Sequence, residues 1–330
     1  MTVRPGPRNL ITDVAGLRVG QAVDEAAQSG VTVLLAEPAC IAAVDVRGGG
    51  PGTRETDALQ PGNLVQHIDA LVFSGGSAFG LAAADGAMHW LAGRRRGFDA
   101  GAARVPIVPA AILYDLANGG DKGWANGAGG EPPYRILARA ACEAAGEAFA
   151  LGRAGAGYGA RAGAEAGGIG SASACDPETG ATVGALAAVN SFGSVRMADG
   201  CFLAWAQEVD GEFGGARPSG APDPADPIFP KRPKARRNTT LVAVATDAAL
   251  DRAQALRLAI MAQDGLARAI RPAHTPFDGD LVYGLATGRA GPVDAMGLAR
   301  LGAIAADCAA RAIARGVYEA SRDLLSSRDT

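Results

Sequence analysis

The sequence predicts a layered α/β fold in one compact domain, and three observations carry that prediction. Strand-like and helix-like segments alternate along most of the 330 residues, and such segments pack as layers around a core. The strand-like runs are short, apolar and bounded by Gly, Pro or Asp. Hydrophobic residues make up 48% of the chain and charged residues 20%, which is ordinary for a globular protein with a large core. We therefore expect helices on both faces of predominantly antiparallel sheets.

The first half of the chain contains the signals of strands that lead into helices. Four apolar runs predict strands: VTVLLAE (31–37), IAAVDVRGG (41–49), ALVFSGG (70–76) and VPIVPAAILYDL (105–116). Two Ala-rich runs predict helices. The first follows the third strand, with Ser77 as its N-cap, and the second covers 132–152, between two prolines and Gly152.

The second half repeats this alternation around one irregular segment. Five runs predict strands: 167–176, 182–195, 201–209, 239–246 and 281–287. Two further runs, 251–270 and 293–316, predict helices. Residues 207–238 contain six prolines and the charge run KRPKARR. We expect this segment to be an exposed loop of the same domain, because the residues after it are too few to build a separate core.

Composition excludes several classes of function. A net charge of -3 argues against a nucleic-acid or anionic-membrane partner. No apolar run reaches the ~18 residues of a membrane span, and the N-terminus lacks the apolar region of a secretory signal. The five cysteines are scattered without CxxC spacing, so neither a disulfide scaffold nor a zinc site is predicted. We expect a cytoplasmic protein without a metal or organic cofactor.

A serine hydrolase with a histidine base has little support. The three histidines, His67, His89 and His274, are far apart in the sequence, and none stands beside a plausible Ser or Cys. GGSAFG (75–80) is similar to a nucleophile elbow, but Phe79 occupies the position where that motif requires glycine. We interpret this stretch as the start of a helix packed closely on the sheet.

The junction RRNTTLVAVATDAAL (236–250) allows two interpretations. Thr239 can simply begin a strand, since threonine is a good strand former. Alternatively, the chain is cut between Asn238 and Thr239, and the new α-amine, with an unperturbed pKa of ~8, becomes the base for the Thr239 hydroxyl. A loop that feeds a rigid strand suits such self-cleavage. The residues alone leave both interpretations open.

Several stretches together resemble one family. They are NTTLVAVATDA (238–248), HTPFDGDLVYGLATG (274–288), NLITDVAGLRVG (9–20), AVDVRGGGPGTRETDAL (43–59), DALVFSGGSAFGLAAADG (69–86), ILYDL (112–116), GGIGSAS (167–173) and AVNSFG (188–193). The chain resembles the self-processing L-aminopeptidase/D-esterases and β-peptidyl aminopeptidases, which include nylon-oligomer hydrolases. The resemblance implies an αββα sandwich related to N-terminal-nucleophile hydrolases. It also implies a large chain 1–238 and a small chain 239–330 that stay associated, and we expect a homo-oligomer of these processed heterodimers.

The resemblance also assigns site residues. The family's cleavage junction matches Asn238–Thr239, which makes Thr239 the nucleophile. The alternative, Thr240, would place its hydroxyl on the opposite face of the strand. Asp278 and Asp280 match the family's acidic motif and would hold the α-ammonium and orient the hydroxyl, although DG also favours a plain turn. Asn190 matches the asparagine whose amide binds the oxyanion.

One departure concerns a lysine that many relatives carry near the nucleophile. Ala164 occupies the place where that lysine is expected, and Arg161 is a poor substitute as a base because a guanidinium stays protonated. The absence of this lysine therefore leaves the substrate preference or the rate of self-processing undetermined by the resemblance.

The predicted function is a self-activating amidohydrolase. Its substrates would be short peptides, β- or ω-amino acid amides, including 6-aminohexanoate oligomers, or amino acid amides and esters. Two alternatives remain at this point, an acyltransferase similar to ornithine acetyltransferase and an unprocessed, non-catalytic binding protein.

Overall fold

The computed structural model describes residues 2–127, 129–220 and 238–326, and within them it contains thirteen strands and four α-helices. The strands are β1 (Leu17–Asp24), β2 (Ser29–Val46), β3 (Thr53–Arg54), β4 (His67–Ser74), β5 (Phe98–Asp99), β6 (Arg104–Val105), β7 (Ala110–Ile112), β8 (Arg161–Ala162), β9 (Glu165–Ala166), β10 (Gly168–Cys175), β11 (Thr182–Asn190), β12 (Thr239–Thr246) and β13 (Leu281–Ala286). The helices are α1 (Ala83–Ala92), α2 (Tyr134–Glu143), α3 (Arg252–Ala269) and α4 (Ala295–Ser326). Short 3-10 helices cover Ile11–Asp13, Asp57–Leu59, Ser77–Ala82, Gly123–Asn126, Gly155–Gly157 and Leu203–Gln207.

Strand β2 connects the two halves of a nine-stranded sheet. The order is β10-β11-β12-β13-β2-β4-β7-β3, and β1 also pairs with β2. The first part of β2 pairs with β1 and β4, and its last part, from Ile41 to Val46, pairs with β13. Most pairs are antiparallel, but β12–β13 and β4–β7 are parallel. Strands β12 and β13 therefore lie inside the sheet, between β11 and β2.

Alternating side chains divide the molecule into four layers. In β12, Leu241 and Ala243 belong to a central cluster, whereas Val242 and Val244 belong to the cluster that includes residues of α3 and α4. In β2, Leu34 belongs to the central cluster and its neighbours pack with α1 and α2. Because successive strand residues point to opposite faces, the two sheet halves pack on each other and each is covered by helices. The predicted αββα sandwich is confirmed.

Two predicted strands are one. The run 31–37 and residues 41–46 of the second run belong to the single strand β2, which ends at Val46. Pro38 lies at an irregularity where the pairing with β4 shifts register between Leu35 and Cys40. A proline at such a point removes no ladder hydrogen bond. The predicted strand over 201–209 is wrong: its centre is the 3-10 helix Leu203–Gln207, and Phe202 packs against Phe213 and Tyr318.

Three helix boundaries also differ from the prediction. Ser77 is not an N-cap, because it is the first residue of a 3-10 helix and Gly76, in a left-handed conformation, precedes it. Helix α2 ends at Glu143 because Gly146 exchanges backbone hydrogen bonds with Val19 of β1. The last helix, α4, continues to Ser326.

The predicted loop 207–238 is described only in part. Residues 214–220 are mostly exposed, whereas Phe213 is buried in the cluster of α3 and α4. Glu212 forms an ion pair with Arg311 of α4 at 2.5 Å. Residues 221–237, with the charge run KRPKARR, lie outside the described residues. Among the described helices, none is long and apolar enough to cross a membrane.

Candidate active site

The five predicted site residues meet where β11 ends and β12 begins. Asn190 is directly opposite Thr239 in the β11–β12 register. Asn238 forms a parallel bridge with Asp278, and Asp280 immediately precedes β13. The antiparallel and parallel pairings of β12 therefore bring Asn190, the Asn238–Thr239 peptide and the DGD segment to one end of the sheet.

The peptide bond between Asn238 and Thr239 is held at its carbonyl. The Thr239 hydroxyl donates a hydrogen bond to the Asn238 carbonyl oxygen at 2.5 Å, and the backbone N–H of Gly279 donates to the same oxygen at 2.8 Å. Asn238 is fixed further by its N–H, which donates to the Phe277 carbonyl at 2.9 Å, and by its side-chain amide, which donates to the Asn190 carbonyl at 3.1 Å. In the uncleaved chain Thr239 is only 2% exposed.

Gly279 allows this close approach because it has no side chain. A Cβ atom added there would lie 2.7 Å from Oγ1 of Thr239 and 2.9 Å from the Gly50 carbonyl oxygen. Both separations are too short for a real Cβ, so the glycine between the two aspartates is a steric requirement of the site.

Asp280 accepts hydrogen bonds from both sides. Its Oδ1 accepts from the backbone N–H of Thr240 at 2.7 Å, and its Oδ2 accepts from the N–H and the Nδ1 of His274, each at 3.0 Å. A carboxylate can only accept, so Nδ1 carries the proton of the imidazole. His274 has a positive φ of 57°. The sequence prediction missed this residue, although it stands six positions before Asp280 in the HTPFDGD stretch.

Asp278 is as buried as Asp280. Its Oδ1 accepts from the Phe192 N–H at 3.1 Å, and its Oδ2 accepts from the Thr275 N–H at 3.0 Å and the Thr275 hydroxyl at 2.6 Å. Burial, and then the charge of Asp280, raise the pKa of Asp278 to about 6. Among the described residues neither Asp278 nor Asp280 forms a hydrogen bond to the Thr239 hydroxyl in this uncleaved chain.

Asn190 is buried and has one fixed orientation. Its Oδ1 accepts from the Arg161 N–H at 2.9 Å and from the Asn118 amide at 3.3 Å, while its Nδ2 donates to the Tyr114 carbonyl at 3.1 Å. Because a backbone N–H can only donate, Arg161 assigns the side-chain oxygen. The prediction missed Asn118, whose only sequence signal is its position in the turn after ILYDL.

The segment that carries Tyr114 and Asn118 is anchored by a buried carboxyl group. Asp115 accepts from the Ser29 hydroxyl at 2.6 Å and from the Gly76 N–H at 2.8 Å. Burial raises the pKa of Asp115. The GGSAFG stretch thus has a structural partner, in agreement with its interpretation as a helix start.

The alternative nucleophile, Thr240, has a different environment. Its N–H is bound by Asp280, but its hydroxyl is buried and has no hydrogen-bond partner among the described residues. Strand alternation directs it away from the face used by Thr239. Among residues 2–127, 129–220 and 238–326, no cluster of three His, Cys, Asp or Glu side chains is arranged to hold a metal.

A cavity of about 440 Å³ adjoins Asn190 but does not include Thr239. Asn118 and Arg161, which both bind Asn190, line it. Ala164, at the turn between β8 and β9, lines it as well. The other lining residues are Gln28, Arg153, Gly159, Ala160, Glu165, Ala166, Ser321, Leu324 and Leu325. The position where relatives are expected to carry lysine thus faces this cavity.

Comparisons with known proteins identify the family of the chain. The family model "Peptidase family S58" matches residues 9–325. An uncharacterised aminopeptidase of Mycobacterium tuberculosis is 46% identical, with 94% of each chain covered. A 6-aminohexanoate-oligomer endohydrolase of a Kocuria species is 29% identical over 86% of this chain and 76% of the relative.

Two solved structures share the fold. A Burkholderia β-aminopeptidase has a TM-score of 0.67 at 23% identity, covering 99% of this chain and 96% of its own. An L-aminopeptidase/D-Ala-esterase/amidase of Ochrobactrum anthropi, described as a variant of the Ntn-hydrolase fold, also has a TM-score of 0.67. It is 20% identical, with 100% of this chain and 96% of that one covered.

Proposed function

The chain belongs to peptidase family S58 and is a hydrolase of peptide bonds, and from this premise we propose that it activates itself by cutting the Asn238–Thr239 bond. The observation that carries the proposal is the shared carbonyl. The Thr239 hydroxyl and the Gly279 N–H both donate to the Asn238 carbonyl oxygen, at 2.5 and 2.8 Å. The first group would be the attacking nucleophile and the second a donor to the developing oxyanion.

Self-cleavage would proceed through an ester. Oγ1 of Thr239 loses its proton, with Asp278 as the proposed acceptor, and bonds to the carbonyl carbon of Asn238, whose oxygen takes the negative charge beside Gly279. The C–N bond then breaks, and the nitrogen takes up a proton and becomes the α-amine of Thr239. Water hydrolyses the ester and leaves a carboxylate on Asn238 and a free hydroxyl on Thr239.

The sheet explains why the two chains would stay together. β12 pairs with β11 of the large chain, and β13 pairs with β2 of the large chain. Residues of α3 and α4 share one buried cluster with β10 and β11. Separation would expose this cluster to water at a cost of roughly 25 cal/mol per Å² of apolar surface, so we expect the two chains of the processed heterodimer to remain associated. As the resemblance to the family implies, we also expect these heterodimers to assemble into a homo-oligomer.

In the processed enzyme the α-amine of Thr239 would act as the base. It accepts the hydroxyl proton while Oγ1 attacks the substrate carbonyl, and Asn190 donates its amide to the oxyanion. The leaving amine departs with a proton, and water then hydrolyses the acyl-Thr239 ester. Asp278 and Asp280 would hold the ammonium form of the α-amine, and His274 would be a positioning residue that fixes the Asp280 carboxylate.

The proposed substrates are short peptides, β- or ω-amino acid amides such as 6-aminohexanoate oligomers, and amino acid amides or esters. Relatives named as an aminopeptidase and as a 6-aminohexanoate-oligomer endohydrolase support this range. The acidic residues beside Thr239 also suit a substrate with a free ammonium group. We further propose that the enzyme acts in the cytoplasm, for which its five unpaired cysteines are the support.

The test compares amino acid p-nitroanilides with their N-acetyl derivatives, together with β-alanyl amides and 6-aminohexanoate oligomers, at equal concentration. We expect the N-acetylated compounds to have a much lower kcat/KM, because a buried carboxylate loses its ammonium partner. Equal or better activity on them would defeat the aminopeptidase assignment. Acyl transfer from N-acetylornithine to glutamate without net hydrolysis would favour the transferase instead.

A further inference from the structure

The cavity beside Asn190 is lined by an arginine whose charge has no partner among the residues that the structure describes. Its charged lining residues are Arg153, Arg161 and Glu165. Glu165 already forms an ion pair with Arg196 at 2.9 Å. The guanidinium of Arg153 lies over the ring of Tyr158, 5.1 Å from its centroid.

Arg161 differs from both of these groups. Its backbone N–H binds Asn190, but among the described residues its guanidinium has no ion pair and no hydrogen bond. Once Glu165 is counted with Arg196, the cavity has an excess of positive charge. Ala164, which lines the same cavity, presents only a methyl group and leaves space for a ligand.

The position of the cavity connects this charge to the reaction. The Arg161 N–H is 2.9 Å from Oδ1 of Asn190, and Asn190 is opposite Thr239. A leaving group that extends from a carbonyl bound at Asn190 toward Arg161 would reach the cavity. The aspartates belong to the segment before β13, on the other flank of β12. An ammonium end suits the aspartates, and an anionic end suits the arginine.

We propose that the cavity binds a carboxylate of the substrate through Arg161, namely the free C-terminal carboxylate on the leaving group of a short peptide. A guanidinium presents paired N–H donors that match a planar carboxylate. The inference rests on the proposed function, since it names the substrate class of the same site. Its consequence is a preference for peptides with a free carboxylate over the same peptides as C-terminal amides.

The experiment measures kcat/KM for β-alanyl-alanine and for β-alanyl-alanine amide with the processed wild-type enzyme, Arg161→Gln, Arg161→Lys and the control Arg139→Gln. Arg139 is exposed on α2, in the helical layer opposite to the one that contains α4, whose residues line the cavity. A hydrogen bond to a charged group corresponds to a preference of roughly 10- to 100-fold. We expect wild type and Arg139→Gln to prefer the free acid by such a factor, mainly through KM. Arg161→Gln should lose that preference, and Arg161→Lys should keep part of it.

A second pair of substrates identifies where the carboxylate is carried. Glutamyl and glutaminyl p-nitroanilides differ only in the acyl side chain, and we expect similar rates on the two. A preference for the glutamyl compound that depends on Arg161 would assign the anion site to the acyl side chain and overturn the assignment to the leaving group.

Equal rates on the free acid and the amide would overturn the inference, whereas hydrolysis itself would uphold the proposed function. A wild-type preference that Arg161→Gln retains would also overturn it. Absence of hydrolysis of all four substrates by a chain that remains uncut would instead reject the proposed function.

Discussion

On the acid side of Thr239, formed by Asp278 and Asp280, each of the four carboxylate oxygens receives a hydrogen bond from a backbone N–H. On the amide side, formed by Asn190, Asn118 and Arg161, the Asn190 side chain is held by the Arg161 N–H, the Tyr114 carbonyl and one side chain, the amide of Asn118, and a cavity begins beside it. Backbone donors keep their positions whatever the neighbouring side chains are. In the proposed reaction, the acid side would therefore keep one geometry, and the amide side, next to the cavity, would be where substrate preference can differ.

The largest expected effect comes from Gly279, between the two aspartates. Gly279→Ala should abolish self-cleavage, because the new Cβ would lie 2.7 Å from the Thr239 hydroxyl and 2.9 Å from a backbone carbonyl. Intact mass after purification measures the outcome. Gly291→Ala is the matched control, since a Cβ there has no atom within 4 Å. Normal cleavage of a folded Gly279→Ala chain would remove the steric argument for the acid side.

The next effect tests the carboxylate of Asp280. Asp280→Asn replaces an acceptor oxygen by an NH₂ group, which faces the N–H donors of Thr240 or His274. We expect the kcat of the processed variant to fall by roughly 10²- to 10⁴-fold. Asp264→Asn, at an exposed position on α3, should behave as wild type. Near-normal turnover of Asp280→Asn would favour the alternative interpretation, in which the DGD motif only forms a turn.

The pKa of Asp278 predicts a pH dependence of self-cleavage. Because this pKa is about 6 in the uncleaved chain, the carboxylate is lost as the pH falls through 6. The rate should then fall by about tenfold per pH unit below that value. Freshly translated chain, quenched at intervals between pH 4.5 and 8, provides the rates, and Asp278→Asn should show no inflection near pH 6.

This loss of rate cannot be unfolding caused by Asp278. Its folded pKa is raised above the ~3.9 of an unfolded aspartate, so the cost of burying its charge is present above pH 6 and is relieved as the pH falls. Protonation of this group therefore stabilises the fold in the same range where cleavage slows. A rate that is constant from pH 8 to pH 5 would exclude a role for the Asp278 carboxylate.

The smallest expected effect concerns the His274 side chain, whose contribution to kcat is measured separately from that of its backbone conformation. His274 has a positive φ of 57°, a conformation that glycine and asparagine both tolerate. His274→Gly removes the side-chain donor to Asp280 and keeps the backbone N–H donor, whereas the amide of His274→Asn can replace the side-chain donor. We expect kcat to fall by about tenfold in the glycine variant, the equivalent of one hydrogen bond, and by less in the asparagine variant. Equal kcat values in the two variants would leave His274 without a positioning role.

The sequence predicted the acid side better than the amide side. DGD stands directly before a recognisable strand, and the residues NTT mark the start of its neighbour, so a short stretch of pattern holds most of that geometry. Asn118 and Arg161 contact Asn190 from segments distant in the chain. Hydrophobic periodicity in the sequence does not predict contacts of this kind. The strand period and the Ala-rich helices gave the layers correctly.

The errors in the fold share a cause. The sequence predicts a break between two strands around Pro38 and a helix that runs through Gly146, but tertiary pairing determines the structure at both positions. β2 continues through the irregularity at Pro38, because its pairing with β4 shifts register there. Helix α2 stops early, because Gly146 pairs with β1 instead. His274 was missed for the same reason, since its partner depends on the turn that precedes β13.

The central claim is that Thr239 cuts the bond before it and becomes the nucleophile. The most direct test is intact mass with N-terminal sequencing of wild type, Thr239→Ala and Thr240→Val. Valine matches threonine in shape and removes a hydroxyl that has no partner among the described residues. We predict fragments 1–238 and 239–330 for wild type and Thr240→Val, the smaller one beginning TTLVAV, and an uncut 330-residue chain for Thr239→Ala. An uncut wild type, or a Thr239→Ala chain cut at the same bond, would contradict the account.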